Sequence, residues 1–234
     1  MKEVLFLPES VTEGRLVLEG LPVGRETKYI SITGQDGAGK TSLRDGLARY
    51  FAEQDFLVMT SKSPCDPHVV DLINNGLSQN GYKDEYSEQL AFSFTDGLLS
   101  NYMYQLDGRV DYFICQRGPI DQYAHGITRS GWDYSKIYQV QRPERLAKFD
   151  VYIHMNCDPE VAWERVKDDT HKDRYEYLEY FKPQSVNTQK LYDAIVSGHE
   201  PELEFLKVSK HYYIDTTYMT IEQVFDRALG YINQ

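Results

Sequence analysis

The stretch that most constrains this chain is Thr33-Gly34-Gln35-Asp36-Gly37-Ala38-Gly39-Lys40-Thr41. Gly34 to Thr41 match the phosphate-binding pattern G-x-x-x-x-G-K-[ST]. Before them runs Lys28-Tyr29-Ile30-Ser31-Ile32-Thr33, a β-branched and aromatic run that reads as a buried strand. After them Leu43, Leu47, Tyr50 and Phe51 recur at helical spacing. The alternative, a glycine turn matching by coincidence, would not need a strand before it and a helix after it. Glycines let backbone N–H groups wrap phosphate oxygens, and the helix that follows points its positive end at them. Gly34, Gln35, Asp36, Gly37, Ala38, Gly39, Lys40, Thr41 and Ser42 are therefore the expected phosphate cradle. Lys40 is placed to reach β- and γ-phosphates, and the Thr41 hydroxyl to ligate Mg²⁺. Read as an exposed lysine, Lys40 adds little to a core, so its removal should harm turnover far more than folding.

A chain of 234 residues suits one domain with a small appendage, here residues 1–27 ahead of a main domain at 28–234. The net charge of −11 argues against a broad nucleic-acid surface. Cys65, Cys115 and Cys157 have no C-x-x-C spacing, which points to a reducing compartment and no structural zinc. The start of the chain is not a signal peptide, and no apolar run reaches the length of a membrane span. A cytoplasmic protein is the expectation.

Along the chain, Val4–Leu7 and Arg15–Leu18 read either as a hairpin or as an arm. Strands are expected at 56–60, 110–115, 151–155 and 211–215, alternating with helices. A short helix fits 67–80, and a longer one 84–108, where Leu90, Phe94, Leu98, Tyr102 and Leu106 fall at i, i+4 steps and suggest one apolar side. Pro159 opens a helix to Asp169, residues 183–199 form another, and Thr220 caps the last. Residues 167–182 are dense in charge, which reads as a solvated helix face or as a basic lid. With the strand before the glycine loop this gives an α/β fold, a five-stranded parallel sheet covered on both faces.

The loop alone does not separate a kinase from a GTPase, a motor or a switch. No Asn/Thr-Lys-x-Asp guanine signature is present, and no long apolar strand ends in two acids. One sheet, small size and a late charged segment favour a small-molecule kinase. Several segments, in order over about residues 28–232, resemble the thymidylate kinase family and the related deoxynucleoside kinases. Ile32 to Thr41 is similar to that family's phosphate loop, including the Asp two residues after the first Gly. Gln116-Arg117 followed by Ala124 resembles its Asp-Arg motif. Val151 to Arg165 resembles its fourth strand, Asp-Pro turn and the Arg opening its lid. Asp173-Arg174-Tyr175-Glu176 resembles the lid, and Tyr213 to Thr216 the last strand. The resemblance implies strand order 2-3-1-4-5, ATP with Mg²⁺, a nucleoside monophosphate acceptor with dTMP first, and a homodimer. The sequence departs from the family pattern at Gln116 for Asp, Asp121 for Ser, His125-Gly126 for a Tyr-Gln or Tyr-Asn pair, and Gly97, after Asp96, for a phosphate-contacting Arg.

Candidate roles follow. Arg117 has the fork that suits phosphate oxygens, its alternative being a surface ion pair. Asp36 is read either as a contact to the acceptor's sugar or a metal-bound water, or as a loop cap. Asp121 would orient an acceptor or act as a base, which a sugar hydroxyl needs and a phosphate does not. Arg165, Lys172 and Arg174 are the lid cations, Arg165 and Arg174 with catalytic roles. Phe92 and Phe94 are read as base-stacking rings or as core, with Asp96 beside them on the acceptor side. His154 reads as a buried imidazole rather than a ligand. Two other functions stay open. One is a kinase of deoxynucleosides or other small metabolites. The other is a nucleotide-binding regulatory protein without transfer.

Overall fold

The computed structural model describes residues 4–7, 11–12, 15–16, 20–65, 69, 85–168 and 177–234. The helix expected at 67–80, apart from Val69, and Lys172 and Arg174 of the charged segment lie outside the described residues.

Among the described residues the main sheet is parallel and has six strands rather than five. They are β1 (Val4–Phe6), β4 (Lys28–Gly34), β5 (Val58–Lys62), β6 (Tyr112–Gln116), β7 (Val151–Asn156) and β8 (Lys210–Asp215), in the spatial order β1-β5-β6-β4-β7-β8. Without β1 this is the expected order 2-3-1-4-5. The sixth strand comes from the N-terminal segment. Val4–Phe6 adds in parallel to β5 at the sheet edge, while β2 (Val11–Thr12) and β3 (Arg15–Leu16) pair antiparallel with each other. Three residues carry too little pattern to reveal a pairing partner more than fifty positions away. Leu7, just after β1, is completely buried in the main core. Leu7→Ala should therefore lower unfolding free energy by about 2–5 kcal/mol in urea titrations; an unchanged midpoint would show the segment to be a passive arm.

Alternation along the strands divides the core. Ile30, Ile32, Ile114, Ile153 and Met155 face α1 (Lys40–Glu53) and α7 (Ile221–Ile232). Phe113, Cys115 and Tyr152 face the other layer. That layer holds α2 (Glu85–Leu106), α3 (Pro119–Ser130), α4 (Tyr134–Gln141) and α6 (Leu178–Ser197), with α5 (Pro159–Val166) near the carboxyl ends of the strands. Period-2 burial on both faces is what a covered parallel sheet requires. The expected caps form: Pro159 starts α5 behind Asp158, whose carboxylate accepts from Glu160 and Val161 N–H, and Thr220 and Gln223 make a capping box on α7.

Helix α2 departs from its expected apolar stripe. Leu90 and Phe94 are 46% and 60% exposed, while Tyr102 and Leu106 are buried. A strict i, i+4 series drifts round a helix of 3.6 residues per turn, so its two ends cannot share one face. In the first half the buried side carries Glu88, Gln89, Phe92, Thr95 and Asp96. That half of the helix lines a polar interior.

His154 on β7 is buried, as expected, and pairs with His211 on β8 at 2.9 Å, while His211 Nε2 bonds the Leu206 carbonyl. Burial drives the His154 and His125 pKa values well below the usual imidazole value. Both are neutral when folded and take up protons once unfolded, so their contribution to stability is level above about pH 6.5 and falls as pH drops below it. Each should cost about 1 kcal/mol at pH 5.5, read as the part of the urea-midpoint difference between pH 7.5 and 5.5 that His154→Phe or His125→Phe removes. A pH difference unchanged in both variants would contradict this.

Candidate active site

The site is built at the carboxyl ends of the strands, where an open α/β sheet changes direction and places ligands. Strand β4 lies between β6 and β7. Its last residue, Gly34, has φ +122°, and a Cβ there would sit 1.9 Å from the Met155 carbonyl oxygen. Only glycine allows the loop to leave the sheet at this point. Gln35 then ties the loop to β7: its N–H donates to Met155 O at 3.1 Å, and its side-chain oxygen accepts from Cys157 N–H at 3.3 Å. Helix α1 starts at Lys40, so its N-terminus opens into a cleft of about 530 Å³ lined by Asp36 to Leu43, Lys62, Gln116, Arg117 and Arg165.

Lys40 is 4% exposed, not the exposed lysine of the sequence reading. Its ammonium donates to Gly34 O and Gln35 O, both at 2.7 Å, and to Asp36 Oδ1 at 3.1 Å. The loop folds over its own lysine, so Lys40 also holds the loop's shape. Thr41 donates its hydroxyl to Gln116 Oε1 at 2.9 Å. Gln116 thus stands beside the threonine of the glycine loop.

Arg117 follows β6 with φ +70°, a left-handed conformation that costs a non-glycine residue about 1–3 kcal/mol. It is held there by a backbone bond to Ile32 O at 2.8 Å and by its fork, which meets Asp36 Oδ1 at 2.6 Å. Burial opposes charge on Asp36, but Arg117 and Lys40 outweigh it and hold the carboxylate well below its usual pKa. Asp36 is therefore an ionised counter-ion to two cations at the loop's rim. Lys62, at the end of β5, completes a positive patch. Repulsion from Arg117, with burial, lowers its pKa to about 8. The sequence reading missed Lys62 because it ended that strand two residues early; the rule that ligands gather at strand ends would have pointed to it.

Other expected residues separate. Asp121 is buried and fully engaged: its carboxylate accepts from Thr33 Oγ1 at 2.6 Å, Gly118 N–H at 3.0 Å and Gly34 N–H at 3.2 Å. It braces the loop against α3. Arg165 lines the cleft, but its guanidinium donates to Gly37 O, Thr216 Oγ1 and Thr216 O at 3.1–3.2 Å, clamping the loop to the segment after β8. Phe92 is buried and lies 5.9 Å from the His125 ring. Phe94 is exposed and is not gathered with it. Asp96 is wholly buried, accepts from Gln141 Nε2 at 3.0 Å, and has its pKa pushed up to about 8 by desolvation. Beside this wall Arg129 forms a buried ion pair with Glu88 at 2.7 Å.

Comparison with known proteins agrees with this architecture. The sequence pattern described as "Thymidylate kinase" matches residues 32–213. A probable thymidylate kinase of Picrophilus torridus is 27% identical over 182 residues, covering 73% of this chain and 82% of its own. A thymidylate kinase of Bacillus cereus is 25% identical over 154 residues, covering 62% and 72%. The solved thymidylate kinase of Candida albicans, described as revealing the origin of broad substrate specificity, superposes with a TM-score of 0.67 over 89% of this chain and 92% of its own at 19% identity, which bears on the fold. With the phosphate loop, the Arg117 fork and the sheet order in place, the match over 32–213 settles kinship: the chain belongs to the thymidylate kinase family, P-loop kinases that move a phosphoryl group from ATP to a nucleoside monophosphate.

Proposed function

We propose that this protein transfers the γ-phosphoryl group of ATP to the phosphate of a nucleoside monophosphate, and kinship makes dTMP the first acceptor to assay. The observation that carries this over a nucleoside kinase is the state of the carboxylates. A sugar hydroxyl needs a base, whereas a phosphate is already nucleophilic. Asp121 is engaged by three donors, and Asp36 is held ionised by two cations, which makes it a weak base. Burial raises the Asp121 pKa, yet both its oxygens are committed to Thr33, Gly34 and Gly118, so it serves as a brace rather than as a base.

In this reading Lys40 leaves its loop carbonyls for the β- and γ-oxygens of ATP. Arg117 and Lys62 hold the acceptor phosphate in line, and Asp36 fixes Arg117. Catalysis is positioning and neutralisation of spreading charge. The hydroxyl of Thr41 and the amide oxygen of Gln116 are a hard oxygen pair that suits Mg²⁺. Among the described residues no three His, Cys, Asp or Glu side chains cluster as a metal cage, which fits an ion shared with phosphates and water. Bound there, Mg²⁺ would neutralise phosphate charge. The lid at 167–182, with Arg174, belongs to the same proposal, while Arg165 serves as the loop clamp described above. Cys65, Cys115 and Cys157 are buried and form no disulfide with one another, which supports a reducing cytoplasm, and kinship supports a homodimer. Among the described residues no helix is long and apolar enough to cross a membrane.

The test is ATP with a panel of nucleosides and nucleoside monophosphates, the products identified by mass. Transfer to a monophosphate is the expected result. Transfer to nucleosides only, or ATP binding with no transfer, would overturn it.

A further inference from the structure

On β6 the row Tyr112, Ile114 and Gln116 points toward α1, because side chains two apart share one face of a sheet. Tyr112 and Ile114 pack into the apolar core on that side. Gln116 is the last of the row, where the strand ends and the cleft begins. Its neighbours in register are Ile32 on β4 and Lys62 on β5. The side chain is held in place: Gln116 is only 5% exposed.

The two ends of its amide are in different situations. The oxygen accepts the Thr41 hydroxyl at 2.9 Å. That bond takes the threonine's proton and leaves the threonine's lone pairs for an ion, so the oxygen is the end that faces Thr41. Among the described residues Gln116 Nε2 donates to nothing, yet it is not one of the sealed unpartnered atoms of the interior. Its N–H bonds therefore open on the cleft, which Lys40 and Thr41 line from the phosphate loop and Lys62 and Arg117 from the strand ends.

The acid of the family pattern could not use the cleft in this way. A carboxylate offers only acceptors and a negative charge, so it meets phosphate oxygens across a cation, whereas an amide donates to them directly. A carboxylate would also pair with Lys62, its neighbour across the ladder. The amide leaves that ammonium to the acceptor phosphate.

We propose that Gln116 donates an amide N–H to an oxygen of the γ-phosphoryl group while its own oxygen keeps Thr41 in place. The inference rests on the phosphotransfer reading and adds a residue to its machinery. During transfer, negative charge spreads over the equatorial oxygens of that group. A donor already fixed by its bond to Thr41 meets this charge without reorganising.

The experiment compares the unmodified protein with Gln116→Met and Gln116→Glu. Met removes both ends of the amide. Glu keeps the oxygen that Thr41 uses and removes the N–H. The side-chain amide signals of Gln116 in isotope-labelled protein, assigned by their absence from either variant, should move on adding ATP and stay in place on adding ADP. In turnover, kcat should fall about 10- to 100-fold in both variants, the scale of one hydrogen bond to a charged group. Amide signals that ignore ATP, or that move equally with ADP, overturn the proposal. Parent turnover in Gln116→Glu also overturns it, since the residue would then serve only to hold Thr41. In each of these cases the kinase reading stands on transfer by the unmodified protein. An ATP-specific shift without transfer to any acceptor supports the γ-phosphate contact and overturns the kinase reading. No ATP binding by calorimetry overturns both.

Discussion

Lys40→Ala should lose about 10²–10³-fold in kcat, the scale of removing one preorganised charge donor from a transition state. It should also unfold more readily. The ammonium bonds Gly34 O and Gln35 O at 2.7 Å, and stranding such buried carbonyls costs about 1–3 kcal/mol. Two measurements check this: turnover at saturating ATP, and urea unfolding of the same sample. A variant that transfers phosphate at the parent rate would place the chemistry elsewhere. One that loses activity with unchanged stability would show that the lysine's bonds to its own loop add nothing to the fold.

Gly34→Ala should be more damaging to the protein as a whole. The added methyl carbon would fall 1.9 Å from Met155 O, on backbone that cannot yield without parting β4 from β7, and φ +122° is itself closed to alanine. A loss of more than about 3 kcal/mol is expected, seen as poor soluble yield and a depressed thermal midpoint. Gly230→Ala, on α7 with nothing within 4 Å of the new carbon, is the control and should be neutral or slightly stabilising. Matching midpoints for the two variants would mean that the loop leaves the sheet differently.

Much of this architecture was legible because it is local. The strand, the glycine loop and the helix after it are contiguous, and each has its own signature. Pro159 and Thr220 marked helix starts through capping chemistry that needs no tertiary context. What escaped was long-range. Nothing in Val4–Phe6 names β5 as its partner, and nothing near Asp121 announces that Thr33 and Gly34 will take up its oxygens. Arg165 carried the right charge in the right segment, but where its donors go depends on Thr216 and Gly37. On α2 an i, i+4 series of apolar letters suggested a buried stripe, while helical drift put the polar letters Gln89 and Asp96 inside instead. The phosphate loop was readable as a motif, whereas the buried polar layer between α2, α3 and α4 is an assembly of side chains from separate elements.

The position of β4 has a consequence for how the protein is made. Ile30 pairs with Ile114 on one side and with Val151 on the other, so the strand carrying the glycine loop waits for partners translated much later. Such distant pairings slow folding, because the intervening chain must be ordered before they form. One tie on the loop, Gln35 N–H to Met155 O, cannot exist until β7 has emerged from the ribosome, and the Arg165 clamp on Gly37 O comes later still. Until then there is no cradle for a triphosphate. ATP at cellular concentration would therefore stabilise only chains that have docked β7, and by mass action draw late intermediates into the finished enzyme.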